Sequence, residues 1–313
     1  MEIKRIGIAG AGTMGYSMAD IFASYGFDVT LWNHRKPTLE RAKTLISETS
    51  RDKIHYTTNL EDIAHLDIVI ENVTEDMAIK EGFYESFCKM ADADMILATN
   101  TSGLSINALA QFVTHRERFL GMHWFNPPTL ILLIEIIKND ETCQDVAEAV
   151  RDLARTIGKK PVIVNKDVLG FAANRIQLAV VREALSLVKK GVVSAEDIDA
   201  VMKYGLAFRW ACIGPLETMD FGGIDTFYHV SSYLMKDLDD SHEIPTLLKE
   251  HYEKGELGVK TKKGFYDYSN GKDKEATERR NEKLLKVFNV LYKGSLSNFG
   301  VLKCLCTPGE DMH

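Results

Sequence analysis

The chain has 313 residues, of which 45% are hydrophobic and 27% are charged, and its formal net charge is −7. At about 150 residues per domain, this length predicts two domains, each with a full hydrophobic core. The acidic balance gives no electrostatic support for nucleic-acid binding. The longest aliphatic run, Leu130 to Ile137, is interrupted by Glu135 and is too short to cross a bilayer.

The chain has five cysteines, an odd number, and none of them forms a Cys-x-x-Cys pair: Cys88, Cys143, Cys212, Cys304 and Cys306. We therefore predict neither a disulfide framework nor a metal site. The first ten residues lack the long apolar region of a signal peptide. We expect a cytoplasmic protein with reduced thiols that binds neither a membrane nor nucleic acid.

In the first half of the chain, short β-branched runs alternate with helical patterns, which indicates an α/β fold with a doubly wound parallel sheet over residues 1–166. We predict strands at Ile3–Ala9, Val29–Asn33, Asp67–Glu71, Met95–Thr99, Phe119–Trp124, Leu132–Ile137 and Val162–Asn165. We predict helices near residues 13–25, 38–48, 78–90, 105–113 and 141–156, with Gly158 as a C-cap after the last.

The pattern changes after Lys166. Residues 171–190 carry apolar side chains at helical spacing and end at Gly191, which is a helix stop. Ser194 opens a Ser-x-x-Asp capping pattern that predicts a helix as far as Tyr204. We predict a mainly α-helical domain over residues 167–270. An extension over residues 271–313 follows, with a charged helix at 275–292 and a frayed tail.

A glycine-rich loop joins the first predicted strand to the first predicted helix. Gly10-Ala11-Gly12-Thr13-Met14-Gly15 has the G-x-G-x-x-G spacing in the strand–turn–helix context that the motif requires. The glycines allow a tight turn and close approach of a pyrophosphate, which the free N–H groups at the start of the helix would bind. The sequence therefore predicts a Rossmann-type dinucleotide-binding domain; the alternative is a glycine turn without a ligand.

The end of the second predicted strand bears on the choice of dinucleotide. Asn33 stands where an acid would hold the ribose 2′-hydroxyl of NAD, and Arg35 and Lys36 follow it. Asn33 does not repel a 2′-phosphate and the two cations would neutralise one, which favours NADP over NAD. Alternatively, the two cations are only the solvated start of the next helix.

Glu135 interrupts an aliphatic strand, and an unpaired carboxylate there would cost several kcal/mol. We therefore expect a cationic or N–H partner for it. His123 lies 12 residues earlier, on the preceding predicted strand, with only Asn126-Pro127-Pro128 turning the chain between them. A carboxylate that orients a histidine stabilises the imidazolium formed when that histidine takes a proton, so the pair suits general base catalysis. A structural buried pair is the alternative.

Five stretches of the chain together carry a resemblance to a known family. They are Asn100-Thr101-Ser102-Gly103-Leu104-Ser105, Gly121-Met122-His123-Trp124-Phe125-Asn126-Pro127-Pro128, the strand around Glu135, Gly170-Phe171-Ala172-Ala173-Asn174-Arg175, and Lys260-Thr261-Lys262-Lys263-Gly264-Phe265-Tyr266. In this order, over residues 1 to about 270, the chain resembles the 3-hydroxyacyl-CoA dehydrogenases.

The resemblance implies hydride transfer between a nicotinamide ring and C3 of a 3-hydroxyacyl group. It implies that His123 takes the hydroxyl proton, that Glu135 orients His123, and that Ser102 and Asn174 hydrogen-bond the substrate oxygens. The residues that it places near the cofactor are Glu75, Lys80, Ser102, Asn126 and Lys260. Ser102 as a helix N-cap beside Ser105, and Asn174 as an ordinary residue of a first helical turn, are the structural alternatives.

Two departures from the family pattern concern the substrate. Only residues 35–59 follow the second strand, with room for one helix, so the long helical hairpin that helps the family to hold CoA is expected to be absent. Arg209, in the stretch Phe208 to Met219, is similar to an arginine of relatives that act on free 3-hydroxy acids, the lambda-crystallin (gulonate dehydrogenase) type and the carnitine dehydrogenases. An arginine can grip a free carboxylate bidentately, whereas a thioester offers none. Arg209 as a helix-end or dimer-contact residue is the alternative.

The sequence thus predicts an NAD(P)-dependent oxidoreductase that acts on a 3-hydroxyacyl-CoA or a free 3-hydroxy acid. The family likeness also implies a homodimer formed through the helical domain. Two other functions are open: a non-catalytic crystallin-like or redox-sensing protein, and a 6-phosphogluconate-type dehydrogenase, which the Trp-Asn-x-Arg loop suggests. The latter would use a lysine as base and would not need the His123–Glu135 pair.

Overall fold

A computed structural model describes residues 2–292, which form two compact units, unit 1 up to Arg175 and unit 2 from Ile176. The predicted tail and its cysteines, Cys304 and Cys306, lie outside the described residues, and Cys88, Cys143 and Cys212 are free thiols. No helix within the described range is both long enough and apolar enough to cross a membrane.

Unit 1 contains an eight-stranded sheet in the order β3-β2-β1-β4-β5-β6-β7-β8. The strands are β1 Arg5–Ala9, β2 Asp28–Trp32, β3 Ile54–Thr57, β4 Ile68–Glu71, β5 Ile96–Thr99, β6 Phe119–Trp124, β7 Leu133–Lys138 and β8 Lys160–Val164. Neighbours are parallel except β6 and β7, which are antiparallel. The predicted sheet is therefore confirmed as mostly parallel. The reversal follows from the short β6–β7 connection, because a parallel crossover needs a dozen or more residues.

Helices cover both faces of this sheet, as a doubly wound fold requires. They are α1 Thr13–Ser24, α2 Lys36–Leu45, α3 Glu48–Arg51, α4 Met77–Phe87, α5 Ile106–Ala110 and α6 Gln144–Thr156. Two separate buried clusters mark the two faces: Phe22 of α1 and Val150 of α6 belong to one, and Phe87 of α4 and Leu109 of α5 belong to the other. As predicted, α6 is followed by a glycine, Gly158, with a positive φ of 74°.

Strand β3 was not predicted. It has four residues, Ile-His-Tyr-Thr, lies at the edge of the sheet, and leaves its second residue exposed, so its apolar signal is weak. The expectation of room for a single helix after β2 is therefore wrong, because α2, the four-residue α3 and β3 all fit there. The long helical hairpin is absent from this stretch, as expected.

Unit 2 is helical, as predicted. Its helices are α7 Ala173–Lys189, whose first residues belong to unit 1, then α8 Ala195–Val201, α9 Ala207–Trp210, α10 Pro215–Gly222, α11 Ile224–Leu234, α12 Thr246–Glu253 and α13 Lys272–Leu291. Ser194 caps α8 by accepting a hydrogen bond from the backbone N–H of Asp197, which confirms the capping prediction. A π-helical segment, Met202–Leu206, joins α8 to α9. Helix α13 begins three residues before the predicted start of the charged helix.

Candidate active site

The glycine-rich loop lies between β1 and α1, and its three glycines are needed for different reasons. Gly10 has a φ of +117°, and a Cβ there would lie 2.5 Å from the carbonyl oxygen of Asn72. A Cβ on Gly15 would lie 1.8 Å from the carbonyl oxygen of Gly10, so the helix packs directly against the turn. A Cβ on Gly12 would meet nothing within 4 Å. Packing therefore explains Gly10 and Gly15, whereas Gly12 leaves space open at the start of the helix.

The first turn of α1 fits the phosphates of a dinucleotide. Gly12 is its N-cap and makes no side-chain capping bond. Within the described chain, the N–H groups of Thr13, Met14 and Gly15 have no hydrogen-bond acceptor. Free N–H groups at a helix N-terminus bind anions, so this cradle suits a pyrophosphate.

The end of β2 carries the residues predicted to contact the adenosine ribose. Asn33 is buried, with 7% of its surface exposed, and its N–H donates to the carbonyl of Thr57. Arg35 is the exposed N-cap residue of α2, and Lys36 is the exposed first residue of that helix. Neither cation forms a salt bridge with any residue in the described range, so both charges face solvent.

The structure pairs His123 with Glu135, as the sequence predicted. The two residues lie directly opposite each other on the antiparallel strands β6 and β7, so their side chains share one face. Nδ1 of His123 lies 2.9 Å from Oε2 of Glu135, and both side chains are buried. Because a carboxylate only accepts, Nδ1 carries the proton, and Nε2 is left as the acceptor of the ring. Nε2 has no hydrogen-bond partner among the described residues.

The second oxygen of Glu135 fixes the start of α7. Oε1 accepts hydrogen bonds from the backbone N–H groups of Ala172 (3.0 Å) and Ala173 (2.9 Å). The turn that aims these groups has positive φ at Gly170 (75°) and at the fully buried Phe171 (52°). Burial raises the pKa of Glu135, but the hydrogen bonds from His123, Ala173 and Ala172 outweigh it, so its pKa lies below the ordinary value. The partners that the sequence analysis expected for Glu135 are thus present as N–H donors, one from the imidazole ring and two from the backbone.

Two aromatic rings hold the imidazole of His123. The ring of Phe125 lies 4.3 Å from it between centroids, and that of Phe171 lies 5.6 Å away. Phe171 connects the histidine to the turn that serves Glu135. The turn residue Phe171 was part of the quoted family motif but was not singled out, because a positive φ at a phenylalanine leaves no sequence signal.

Ser102 and Asn174 also come together. The amide nitrogen of Asn174 donates to the carbonyl oxygen of Ser102 at 2.8 Å. The N-cap of α5 is Ser105, whose hydroxyl accepts from the N–H of Ala108, so Ser102 is not the helix cap. The hydroxyl of Ser102 lies on an exposed residue and has no hydrogen bond to any part of the chain that the structure describes.

Glu75 and Lys80 lie near each other, with Oε2 and Nζ 3.5 Å apart. Glu75 also accepts from the N–H of Ser102 at 2.8 Å, which brings three predicted site residues to one edge of the sheet. Lys80 is buried and pairs with Glu71, a residue that the sequence analysis missed. The sequence did contain a signal for this pair. Glu71 ends an apolar strand, much as Glu135 interrupts one, so the argument used for Glu135 also predicts a cationic partner for Glu71.

Asn126, the remaining predicted cofactor-proximal residue of unit 1, is exposed in the β6–β7 connection, and its peptide bond to Pro127 is cis. Lys159, which was not singled out, supports this connection. Its ammonium donates to the carbonyl oxygens of Pro128 and of Ile131 (2.8 Å) and lies 5.2 Å from the Trp124 ring.

Unit 2 carries the other two predicted site residues. Arg209 is exposed on α9, and no carboxylate of the described range forms a salt bridge with it. Lys260 is exposed in a short 3₁₀ turn, Val259–Thr261. The ion pair between Lys263 and Glu256 (2.7 Å) and the hydrogen bond from His251 to Glu256 (2.7 Å) fix the segment around this turn.

Comparison with known proteins supports the family resemblance of the sequence over both units. The NAD-binding domain model of 3-hydroxyacyl-CoA dehydrogenase matches residues 5–168, and the C-terminal domain model matches residues 170–268. A probable 3-hydroxybutyryl-CoA dehydrogenase of Bacillus subtilis is 36% identical over 286 residues, which cover 86% of this chain and 98% of the relative. The chain belongs to the 3-hydroxyacyl-CoA dehydrogenase family and is an oxidoreductase.

Another relative differs in substrate. The 5-formyl-3-hydroxy-2-methylpyridine 4-carboxylate 5-dehydrogenase of Mesorhizobium japonicum is 35% identical over 304 residues, which cover 92% of this chain and 98% of the relative. A crystal structure of such a dehydrogenase, described as an NAD⁺-dependent dismutase, has a TM-score of 0.87 and covers 93% of this chain and 99% of that chain. The (S)-3-hydroxybutyryl-CoA dehydrogenase of Ralstonia eutropha has a TM-score of 0.72 and covers 86% of this chain and 100% of that chain.

Proposed function

We propose that this protein is an NAD(P)-dependent dehydrogenase in which His123 is the general base and Glu135 orients it. The observation that carries the proposal is the buried His123–Glu135 pair, with its proton on Nδ1 and an unpartnered Nε2. In oxidation, Nε2 takes the proton of the substrate hydroxyl, and the Glu135 carboxylate stabilises the imidazolium that results. In reduction, the imidazolium returns that proton to the carbonyl oxygen.

The bound dinucleotide supplies the hydride acceptor, or in the other direction the donor. The N-terminus of α1 holds its pyrophosphate, and Glu75 and Asn126 lie toward its nicotinamide end. Ser102 and Asn174 hydrogen-bond the substrate oxygen and so place its C–H and O–H bonds. Solvent-facing Arg35 and Lys36 beside the uncharged Asn33 favour NADP over NAD.

We further propose that the substrate carries a free carboxylate and is not a CoA thioester. Three observations support this: the long helical hairpin is absent between β2 and β3, Arg209 is exposed without an acidic partner in the described chain, and one relative of 35% identity is named for a pyridine carboxylate. In this proposal Arg209 binds the carboxylate, because its planar guanidinium matches a carboxylate bidentately.

The similarity to a dismutase favours a second candidate reaction, the oxidation of an aldehyde. The hydrate of an aldehyde presents the same C–H and O–H pair as a secondary alcohol, so Nε2 of His123 would take its hydroxyl proton in the same way. Hydride loss from the hydrate gives a carboxylic acid, and the reduced dinucleotide then reduces a second aldehyde to an alcohol. Formation of acid and alcohol in equal amounts, without net change in the dinucleotide, identifies this reaction.

The family resemblance also leads us to propose a homodimer formed through unit 2. Large apolar side chains are exposed on its helices α10 and α11, among them Leu216 (73%), Phe221 (78%) and Tyr228 (72%). Single exposed apolar residues are ordinary, whereas a group of large ones on adjacent helices marks an interaction surface.

The experiment that tests the reaction measures oxidation of L-3-hydroxybutyryl-CoA, free 3-hydroxy acids and aromatic aldehydes at pH 8–9, each with NAD and with NADP. We expect His123→Gln and Glu135→Gln to lower kcat about 10²- to 10⁴-fold, the usual contribution of a general base. His65→Gln is the matched control, because His65 forms an exposed pair with Asp92 at 2.8 Å. A His123→Gln enzyme with wild-type turnover would exclude the mechanism.

Arg209→Met tests the substrate class. We expect kcat/KM for free acids to fall at least about tenfold, because a hydrogen bond to a charged group contributes about 1.5–3 kcal/mol, while the rate with thioesters stays unchanged. Arg280→Met on α13 is the control for loss of an exposed arginine. Equal loss for acids and thioesters, or a wild-type preference for thioesters, would contradict the carboxylate proposal.

A further inference from the structure

The connection between β6 and β7, residues 125–132, does not hold its shape through backbone hydrogen bonds alone. Pro127 and Pro128 have no N–H group, and the N–H groups of Leu130 (3.1 Å) and Ile131 (3.0 Å) both donate to the carbonyl oxygen of Pro127. The carbonyl oxygens of Pro128 and Ile131 have no backbone donor within the described chain. Because a carbonyl shielded from water needs a partner, the donor must come from a side chain outside the connection.

Lys159, directly before β8, supplies this donor. Its ammonium donates to the carbonyl oxygens of Pro128 and of Ile131 (2.8 Å) and lies 5.2 Å from the centre of the Trp124 ring. An ammonium has three donors, and here two carbonyl groups and one aromatic face surround it. One side chain therefore joins the end of β6 to two points of the connection.

The ammonium of Lys159 is buried without a counter-ion. Lys159 is 4% exposed, and no carboxylate of the described residues forms a salt bridge with it. The connection 125–132 has no titratable side chain, and the charged residues that line the same groove as Lys159 are two exposed cations, Lys160 and Arg155, the latter paired with Asp152 (3.2 Å). Burial alone lowers the pKa of Lys159 to about 7. An unpaired buried charge destabilises a fold, so stability does not explain a lysine here.

Lys159 acts from the side of the sheet opposite the base. His123 and Trp124 are consecutive residues of β6, so their side chains point to opposite faces. Trp124 belongs to the buried cluster that α1 and α6 cover, whereas Phe171, which packs against the His123 ring, belongs to the other cluster. The titratable pair of these two strands, His123 and Glu135, therefore faces away from the ring that Lys159 contacts. Lys159 can influence the reacting atoms only through the backbone that it holds.

Two residues of the candidate site begin the connection. The Phe125 ring lies 4.3 Å from the His123 ring between centroids, and Asn126 is the exposed residue that the family resemblance places near the cofactor. Pro128, whose carbonyl accepts from Lys159, follows Asn126 by only two residues. A hydrogen bond from a charged donor is about twice as strong as one from a neutral donor, so protonated Lys159 fixes this stretch more firmly than neutral Lys159 does.

We propose that Lys159 is a positioning residue for the proposed reaction: its ammonium fixes the β6–β7 connection, and with it Phe125 against the base and Asn126 toward the dinucleotide. This inference rests on the proposed function, because it concerns the geometry of that site. The protonated form positions the connection, although the buried environment favours the neutral form. Activity and stability should therefore depend on pH in opposite directions.

The test compares wild type with Lys159→Met at pH 6, where Lys159 is mostly protonated, and at pH 9, where it is mostly neutral. Calorimetry gives Kd for NAD and NADP, and steady-state rates with the best substrate of the wild type give kcat. At pH 6 we expect the variant to raise Kd about tenfold, which corresponds to about 1.4 kcal/mol, and to lower kcat by a similar factor. At pH 9 both should lie within about twofold of wild type, a difference of about 0.4 kcal/mol.

Urea unfolding of the same two proteins separates positioning from a structural role. From pH 6 to pH 9 the effect of Lys159→Met on Kd and kcat should shrink, while the stability of the wild type relative to the variant should grow. A residue that only stabilised the fold would show both effects growing together. Lys160→Met, at the exposed neighbouring position, is the matched control and should leave Kd and kcat unchanged at both pH values.

A second variant, Lys159→Arg, keeps a charged donor at pH 9 because a guanidinium stays protonated there. We expect the wild type to lose affinity for the dinucleotide relative to Lys159→Arg between pH 6 and pH 9, by about tenfold or about 1.4 kcal/mol. Should Lys159→Met not fold, this comparison decides.

Two results would overturn the inference. If Lys159→Met leaves Kd and kcat at pH 6 as Lys160→Met does, then Lys159 is only structural. If the losses in Lys159→Met are equal at pH 6 and pH 9, then the charge of Lys159 does not position the connection. A wild-type protein that binds neither NAD nor NADP would instead refute the proposed function.

Discussion

Lys159 is a buried lysine, 4% exposed, that holds the connection between the two strands of the His123–Glu135 pair. Burial lowers its pKa to about 7, from a usual value of 10.5. In the unfolded chain the same ammonium keeps its proton up to the usual value. Between these two values the unfolded state binds more protons than the folded state, so stability rises as the pH rises through this window.

We therefore expect the free energy of unfolding of the wild type, relative to Lys159→Met, to increase by about 2 kcal/mol between pH 7 and pH 9. Urea unfolding at the two pH values measures it. Lys160→Met, at the exposed neighbouring position, should show no such change. If the difference in free energy of unfolding between wild type and Lys159→Met is the same at pH 7 and pH 9, then the pKa of Lys159 is not lowered in the folded protein.

At the scale of single residues, the sequence predicted most of the charged and polar side chains of the site but not their burial or their backbone hydrogen-bond partners. Glu135 and His123 were predictable, because a charge within an aliphatic strand demands a partner and the preceding strand offered one. Lys80 was recognised by its spacing, but its burial was not, since a lysine on a helix is ordinarily solvated. The N–H groups of Ala172 and Ala173 leave no trace in side-chain chemistry, so only the structure reveals that they hold Glu135.

Among the elements, the turn between β1 and α1 contains one glycine that the fold requires and another that we expect ligand binding to require. A Cβ on Gly15 would lie 1.8 Å from backbone, whereas one on Gly12 would meet nothing within 4 Å. We expect Gly15→Ala to lower the free energy of unfolding by about 1–3 kcal/mol through overpacking. We expect Gly12→Ala to fold with a stability within about 1 kcal/mol of wild type, because its backbone needs no left-handed conformation.

Gly12→Ala should nevertheless raise the dissociation constant of the dinucleotide at least about tenfold, a cost of about 1.4 kcal/mol, because its methyl group occupies the phosphate cradle. Thermal unfolding without ligand and calorimetric titration measure the two effects separately. Unchanged dinucleotide affinity in Gly12→Ala would show that the pyrophosphate does not approach this turn.

The elements that were predicted and those that were not differ in burial. Strands β1, β4, β5 and β6 are nearly continuous apolar runs, and such runs are typical of parallel strands covered on both faces. Strand β3 is half-exposed at the sheet edge and gave too short a signal. The direction of β7 could have been predicted from the seven or eight residues that connect it to β6, which are too few for a crossover.

For the whole molecule, the testable question is association. We expect sedimentation equilibrium to give twice the chain mass of 35.2 kDa. Phe221→Asp combined with Tyr228→Asp, both on unit 2, should give a monomer at micromolar concentration, because charged groups are depleted from interface cores. Leu45→Asp, an exposed apolar position of unit 1 (43%), is the control and should remain dimeric. A monomeric wild type would remove the dimer proposal.

The two-part organisation was itself predictable, because β-branched alternation gives way to helical spacing after Lys166. The exposure of the apolar side chains of α10 and α11 was not predictable, because helical spacing alone does not show which face of a helix packs inside the chain and which remains exposed. The family motifs contributed more to the prediction of function than hydrophobic periodicity did. Periodicity predicts helices and strands, whereas the motifs, in their order along the chain, indicate several candidate site residues together.

The backbone N–H groups of Ala172 and Ala173, at the start of α7, donate to the buried Glu135 carboxylate, and this limits where a chimeric protein can be joined. A chimera that joins this sheet to the helical half of a relative must cross over after Arg175, where unit 1 ends. A junction at Lys166 would import a foreign Gly170–Ala173 turn, and with it the two donors of the buried Glu135 carboxylate. A chimera can therefore take its helical half from a relative only if it keeps the Gly170–Ala173 turn from the same protein as His123 and Glu135.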